Sequence, residues 1–267
     1  MGKAMSIHHR LNLFFGMRSR SVRRGMDSTA FVSSCGNGGT GRQRAAVQRR
    51  RPRATRMDMD IAVLLSGGGR SLENILRKIE SGDLADVNVK CVLASKKTAG
   101  GLGKAESRGI PTRVLAPKDF DTTEEFSDAI TSSLDEFGVD LVVLAGWMHF
   151  YRIPDRYLGK VVNIHPSLIP AFCGKGYYGE RVHRAVLDFG AKITGCTVHF
   201  ADNEYDHGPI ILQRSVPVEE DDDDESLAAR VFESEKLALP DALRLLAEDR
   251  VIIDGRRVKI CPLQTPR

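Results

Sequence analysis

The 267-residue chain is 42% hydrophobic, 28% charged and 6% aromatic, a balance that excludes collagen, coiled coil, disulfide scaffold and a wholly disordered chain. Its longest apolar runs, such as Leu141-Val-Val-Leu-Ala-Gly146, fall well short of the roughly 18 residues that a membrane-crossing helix needs. The formal charge of +4 conceals an asymmetry: residues 1–56 hold twelve arginines and one lysine against the single acid Asp27, a net +12, which leaves −8 for residues 57–267.

The basic arm is rich in Arg and Ser/Thr, nearly free of acids, and opens on the short amphipathic stretch Leu11-Asn-Leu-Phe-Phe-Gly16. That pattern reads as a removable organelle presequence over residues 1–56. The alternative is a disordered basic tail that stays on the mature protein. RNA binding is disfavoured, because Arg42 to Arg56 lacks interleaved aromatic residues on which bases could stack. Five scattered cysteines without a Cys-x-x-Cys pair suggest neither a metal knuckle nor a disulfide framework, and fit a reducing compartment.

Residues 57–267 read as one domain, with no linker or repeat dividing them. Ile61 to Leu65 predicts a strand, Ser66-Gly-Gly-Gly-Arg-Ser71 a glycine turn, and Leu72, Ile75 and Leu76 the buried face of a helix. Val87 to Ala94 predicts a strand, Thr98 to Arg108 a helix and Thr112 to Leu115 a strand. A helix is expected from about Thr122 to Phe137, capped by Thr122 or Thr123 and favoured by Glu124 and Glu125 at its positive end. Leu141 to Leu144 and Val161 to Ile164 are largely apolar, as strands buried on both faces of a parallel sheet are. Ile193 to Phe200 and Pro209 to Pro217 predict an added antiparallel hairpin. A helix from about Asp224 to Ala247 contains Pro240, which should kink or split it. The acidic run Glu219 to Glu225 reads as a solvated loop, and Arg250 to Asp254 with Val258 to Cys261 as a closing hairpin. The fold class is therefore α/β: a doubly wound, mostly parallel, Rossmann-like sheet with an added antiparallel hairpin, whose site should lie at the carboxyl ends of the parallel strands.

Three segments could carry chemistry. Glycines between a strand and a helix let backbone N–H groups approach an anion, so Ser66 to Ser71 is a candidate phosphate cradle; it has neither Walker nor dinucleotide spacing, and a merely structural turn is the alternative. In Asn163-Ile-His-Pro-Ser-Leu-Ile-Pro170, Asn163 and His165 share one face at a strand end, where an amide donor and an imidazole can serve addition to a carbonyl. The bland alternative is a pair satisfied by local backbone. Asp206 precedes His207-Gly-Pro209 in a turn, where a carboxylate can orient an imidazole or simply shape the turn, and His199 on the preceding strand is a candidate supporting group. Ala171 to Gly179, with three glycines and a lysine, could form a mobile flap. Cys173 has no evident base beside it and is not expected to be a nucleophile.

Taken in order, the Ser-Gly-Gly-Gly loop, Leu144-Ala-Gly-Trp-Met148, Asn163-Ile-His-Pro-Ser167, Gly179 to His183, Thr197-Val-His-Phe200 and Tyr205-Asp-His-Gly-Pro209 resemble the phosphoribosylglycinamide formyltransferase family, from about Asp60 to about Gly255. Ala171 to Gly179 resembles its plant-type branch. The resemblance implies formyl transfer from 10-formyltetrahydrofolate to the amine of glycinamide ribonucleotide (GAR) in purine (IMP) biosynthesis, with no metal and no covalent intermediate. It implies a catalytic trio of Asn163, a protonated His165 and Asp206. Gly69, Arg70, Ser71 and Glu235 would bind the phosphate and ribose, and the folate would lie along Met148, His149, Phe150 and Tyr151 and along Asp202, Asn203, Glu204 and Tyr205. The partners it implies are small molecules, not nucleic acid or membrane; a homodimer is compatible with it. A plastid is the implied destination of the presequence, with the mitochondrion as the alternative. Three positions depart from the family pattern: Ser71 where Asn is common, Thr123 at the apparent place of a folate-facing Arg, and Lys236 where His often follows the ribose-binding Glu.

Formyltetrahydrofolate hydrolase shares this chemistry but usually carries an extra N-terminal domain. Methionyl-tRNA formyltransferase normally adds an RNA-binding domain, and an acidic body opposes tRNA. A non-catalytic folate or nucleotide-binding module is the alternative from another class, and the intact trio speaks against it.

Overall fold

Seven strands form one mixed sheet in the computed structural model, which describes residues 58–263; the expected presequence, residues 1–56, lies outside them. The chain runs β1 (Met59–Leu65), α1 (Arg70–Glu80), β2 (Val87–Ala94), α2 (Gly100–Glu106), β3 (Thr112–Val114), α3 (Thr123–Phe137), β4 (Leu141–Leu144), β5 (Val161–His165), α4 (Glu180–Phe189), β6 (Ile193–Phe200), β7 (Ile210–Pro217), α5 (Asp224–Ala247), β8 (Val251–Asp254) and β9 (Arg257–Ile260). The order across the sheet is β3-β2-β1-β4-β5-β6-β7. Strands β1 to β5 pair in parallel, whereas β6 and β7 are antiparallel. Strands β8 and β9 form a separate hairpin.

The continuous apolar runs follow from helices on both faces. Along β1, alternate side chains part: Ile61, Val63 and Leu65 pack with Leu72 and Ile75 of α1 and Leu239 and Leu243 of α5. Ala62 and Leu64 pack on the other face with Phe126, Ile130 and Leu134 of α3. A strand whose two faces are both covered has no use for a polar alternate. Helix α3 starts as expected: the Thr122 hydroxyl accepts from the Glu125 N–H at 3.1 Å, a cap worth about 1 kcal/mol. Gly138, with φ 64°, ends it.

Three expectations need correction. Helix α4 was not anticipated; Val182 and Val186, its buried face, give only one i, i+4 repeat, too short a period to separate from loop. Helix α5 is not split: it runs unbroken through Pro240. A proline removes the N–H that would donate to the carbonyl four residues earlier, here Lys236. The Asn74 side chain on α1 donates to that carbonyl at 2.9 Å instead, so the acceptor has a partner from across the fold. The acidic run is not simply solvated either. The Asp222 side chain is 2% exposed and pairs with Arg230, and Asp223 caps α5 by a reciprocal exchange with Ser226.

Candidate active site

The sheet order reverses between β1 and β4, which opens a crevice at their carboxyl ends. Its floor is the glycine turn. Ser66 N–H donates to Gly146 O at 3.0 Å, and the Ser66 hydroxyl accepts from Ser95 Oγ and Met148 N–H, tying the ends of β1, β2 and β4 together. Gly69 is the obligatory glycine: φ is 68°, and a Cβ there would lie 2.6 Å from Gly101 Cα. A Cβ on Gly67 or Gly68 would meet nothing; these two face open space. Beyond them the first N–H groups of α1 have no helical partner and carry the positive end of its dipole.

A cleft of about 1150 Å³ lies over this turn, lined by Gly67, Gly68, Gly69, Arg70, Ser71 and Glu235 together with Tyr178, His183 and Phe232. All four residues expected to hold phosphate and ribose therefore share one cavity. The Arg70 guanidinium sits over the Phe232 ring, 4.3 Å from its centre. Burial pushes the Glu235 carboxyl up to about 7, against the opposing pull of Arg70. His183 adds a buried Nδ1 without a hydrogen-bond partner.

A second, smaller cavity of about 110 Å³ is walled by Met148, His149, Phe150 and Tyr151 on one side and by Asp202, Glu204 and Tyr205 on the other, with Asn163, His199 and Asp206 at its base. Asn203 is not in this wall. Its side-chain amide brackets Ile153, accepting from Ile153 N at 2.8 Å and donating to Ile153 O at 3.0 Å, and so splices the two walls. The Tyr151 hydroxyl turns inward to Thr131 at 3.0 Å, and burial pushes it up to about 12. Thr123 lines neither cavity; the Lys236 ammonium pairs with Glu233.

Antiparallel pairing places His199 opposite Asn163. His199 Nδ1 donates to Phe200 O at 2.8 Å, which leaves Nε2 to accept from Asn163 Nδ2 at 3.2 Å. The same amide nitrogen donates to Asp206 Oδ1 at 3.3 Å. Both amide hydrogens are thus engaged. Asp206 Oδ2 accepts from Gly174 N–H at 2.8 Å and lies 3.6 Å from His165 Nδ1. Burial pushes the Asp206 carboxyl up, but His199, the attraction of His165 and the Gly174 N–H together outweigh it and hold it below the usual range, so it is ionised at neutral pH.

His165 is 3% exposed and belongs to neither cavity wall. Its Nε2 donates to the Phe172 carbonyl at 2.9 Å, so in the neutral ring Nδ1 bears a lone pair facing the Asp206 carboxylate. Burial pushes its pKa below the ordinary histidine value, more than Asp206 raises it. Burial therefore favours the neutral imidazole at rest. A proton arriving at Nδ1 would nevertheless point at Asp206. The Ala171 to Gly179 flap is therefore seated on the trio through two backbone groups, with Phe172 in the left-handed region at φ 49°.

A formyl transferase family model matches residues 59–243. The chain belongs to the formyl transferase family. Among its relatives, the trifunctional purine biosynthetic protein adenosine-3 of Gallus gallus is 41% identical over 75% of this chain and 20% of its own length. This family member thus spans about a fifth of that trifunctional relative. The chloroplastic phosphoribosylglycinamide formyltransferase of Vigna unguiculata is 40% identical over 72% of this chain and 62% of its own. The glycinamide ribonucleotide transformylase 1 structure from Symbiobacterium toebii superposes with a TM-score of 0.73 at 39% identity, covering 78% of this chain and 96% of that one.

Within this family member the sequence left four contributors unnoticed: the Phe172 carbonyl, the Gly174 N–H, His183 and Phe232. The first two are backbone groups and leave no side-chain signature. Phe232 could have been found, since it stands three residues before Glu235 and so shares its helix face.

Proposed function

We propose that this protein transfers the formyl group of 10-formyltetrahydrofolate to the amine of GAR in purine biosynthesis. The observation that carries this reading is the shared wall: Met148 and Tyr178 line both cavities, with Asn163 and Asp206 at the base of one and the glycine turn under the other. A phosphate on the first turn of α1 and a ribose at Glu235 would direct the glycinamide amine towards the trio. A pterin between the Met148–Tyr151 and Asp202–Tyr205 walls would present its formyl carbon there.

The amine nitrogen attacks the formyl carbon and the carbonyl oxygen gains negative charge. To stabilise that oxygen, Asn163 exchanges one of its two present acceptors for it, an interaction of about 3 kcal/mol per donor. His165 acts after its Nε2–H leaves the Phe172 carbonyl and turns to that oxygen, while its Nδ1 takes up for a time the one proton that the amine nitrogen sheds. Asp206 supports the imidazolium and, through water, relays the amine proton to the folate nitrogen as the carbon–nitrogen bond to the carrier breaks. The test is an assay of the full chain with 10-formyltetrahydrofolate, offering GAR and water as competing acceptors. Formyl-GAR and tetrahydrofolate in equal amounts are expected; formate as the product would instead make the protein a hydrolase.

Glu235 gives a prediction with two signs. An ionised carboxylate accepts from ribose hydroxyls better than a neutral acid, so KM for GAR should fall as pH rises through about 7. Stability runs the other way: a carboxyl raised from 4.5 to about 7 on folding contributes stability below 4.5 that is lost as pH rises through about 7. Glu235→Gln should therefore raise KM, flatten that pH dependence, and melt higher than wild type at pH 8. A KM that stays pH-dependent in the variant would remove the assigned role.

The presequence reading extends to location. A plastid-type plant relative at 40% identity supports it, and residues 1–56 fused to a fluorescent protein should collect in plastids; diffuse cytosolic signal would count against this.

A further inference from the structure

The turn between β6 and β7 carries Asp206 and is gripped from outside the sheet. Two residues form the turn of the β8–β9 hairpin, Gly255 and Arg256, and Arg256 reaches back to the loop. Its Nη1 lies 2.6 Å from His207 Nε2, and its Nη2 donates to His207 O at 2.8 Å. His207 Nδ1 lies 2.9 Å from Asp202 Oδ2. A guanidinium only donates, so Nε2 accepts and the ring proton sits on Nδ1, donating to Asp202. Carboxylate, neutral imidazole and guanidinium thus form one chain with a single tautomer, spanning the loop from its first residues to its last. Glu204 is the other charge near the ring, 3.9 Å away.

Asp206 lies inside that span, directly before the gripped residue His207. Its φ of 52° is one that non-glycine residues rarely adopt, and such a conformation persists only where the surroundings over-determine it. On one side Gly208 is pressed to Phe200, where a Cβ would come within 1.9 Å of the carbonyl oxygen. On the other is Arg256. The hairpin that presents it is not adrift: Val251 and Val258 pack against the main core, and Cys261 N–H donates to Arg250 O at 2.8 Å.

We propose that Arg256 is a positioning residue for formyl transfer: by holding the His207 ring and carbonyl it fixes the residue after Asp206, and with it the aim of the Asp206 carboxylate at His165 and Asn163. This rests on the reaction proposed above. The neighbouring Arg257 carries the same charge without this grip, which provides the control.

The full-length chain and its Arg256→Ala, Arg256→Lys and Arg257→Ala variants are compared in the two-substrate assay, with a thermal melt of each. Misplacing a catalytic group slightly costs roughly ten- to a hundredfold, so Arg256→Ala should lose about that in kcat. Its KM for GAR should stay within about twofold of wild type, as the GAR cleft contains no residue of this loop. Lysine, able to make one of the two bonds, should fall between. Added methylguanidinium should restore part of the Arg256→Ala turnover, and potassium chloride at equal ionic strength should not. Arg257→Ala should match wild type. Wild-type kcat in Arg256→Ala, an equal loss in Arg257→Ala, or equal rescue by potassium chloride would each overturn the positioning role. A wild-type chain inactive towards GAR would instead remove the reaction itself, and this inference with it.

Discussion

Asp206→Asn should fold normally and lose turnover by roughly 10²- to 10⁴-fold, the range for a positioned acid–base group. The amide is nearly isosteric with the carboxylate, and its oxygen can still accept from Gly174 N–H, which lies 2.8 Å from Oδ2. What disappears is charge. His165 is already pushed towards the neutral form by burial, and Asp206 is the strongest force opposing that push. Without it, the imidazolium that must form beside the developing oxyanion is unsupported in a buried site. The proton also loses its route, because an amide oxygen is too weak a base to pass one through water. KM for both substrates should change little, since the missing interaction belongs to the transition state. Steady-state kinetics alongside a melting curve is the check; near wild-type kcat in a folded Asp206→Asn protein would remove the residue from the mechanism.

The second large effect is expected in folding. At Gly208→Ala the added Cβ would sit 1.9 Å from Phe200 O and 2.9 Å from its carbonyl carbon. These are backbone atoms at the end of β6, held by the Phe200 N–H to Pro209 O bond at 2.9 Å, so no side chain can swing aside. Overpacking typically costs about 1–3 kcal/mol, sometimes more, and backbone meeting backbone belongs at the upper end. Chemical denaturation should show a clear fall in midpoint, and activity should fall further than stability, because relief of the clash displaces the neighbouring Asp206. A variant with unchanged midpoint would mean that this turn is far more pliant than its packing implies. Gly67→Ala, with nothing near its Cβ, should leave the midpoint unchanged.

What the sequence disclosed and what it concealed divide along a physical line. Features set by neighbours in the chain were readable: the both-faces burial of β4 and β5, the Thr122 cap, the bounds of α5 and the common face of Asn163 and His165. The strand-to-helix glycine turn was readable, although only the structure separates Gly69, needed for close approach to α2, from Gly67 and Gly68, which face the cleft. Features set by distant backbone were hidden. The carbonyl of Phe172 covers His165 and accepts from its Nε2, and nothing in the composition of Ala171 to Gly179 announces that contact. The continuity of α5 was misjudged for the same reason: Pro240 argues locally for a break, and the donor that makes it harmless lies 162 residues from the carbonyl it serves.

That donor has a consequence for the cleft over the glycine turn. Asn74 belongs to the helix that starts at the glycine turn, and the carbonyl it serves is that of Lys236, next to Glu235. The bond is thus a tie-rod between α1 and α5, the helices that carry Arg70 and Glu235 to the cleft, and proline makes the tie exclusive: with no N–H at position 240 competing, the carbonyl is free to bond to the neighbouring helix. Losing Asn74 would strand that carbonyl, at a cost of about 1–3 kcal/mol if it stays dry; restoring an N–H at 240 would offer it a local mate and slacken the span. The imino acid that looks like a flaw in the helix is therefore a gauge for how far apart Arg70 and Glu235 stand across the cleft.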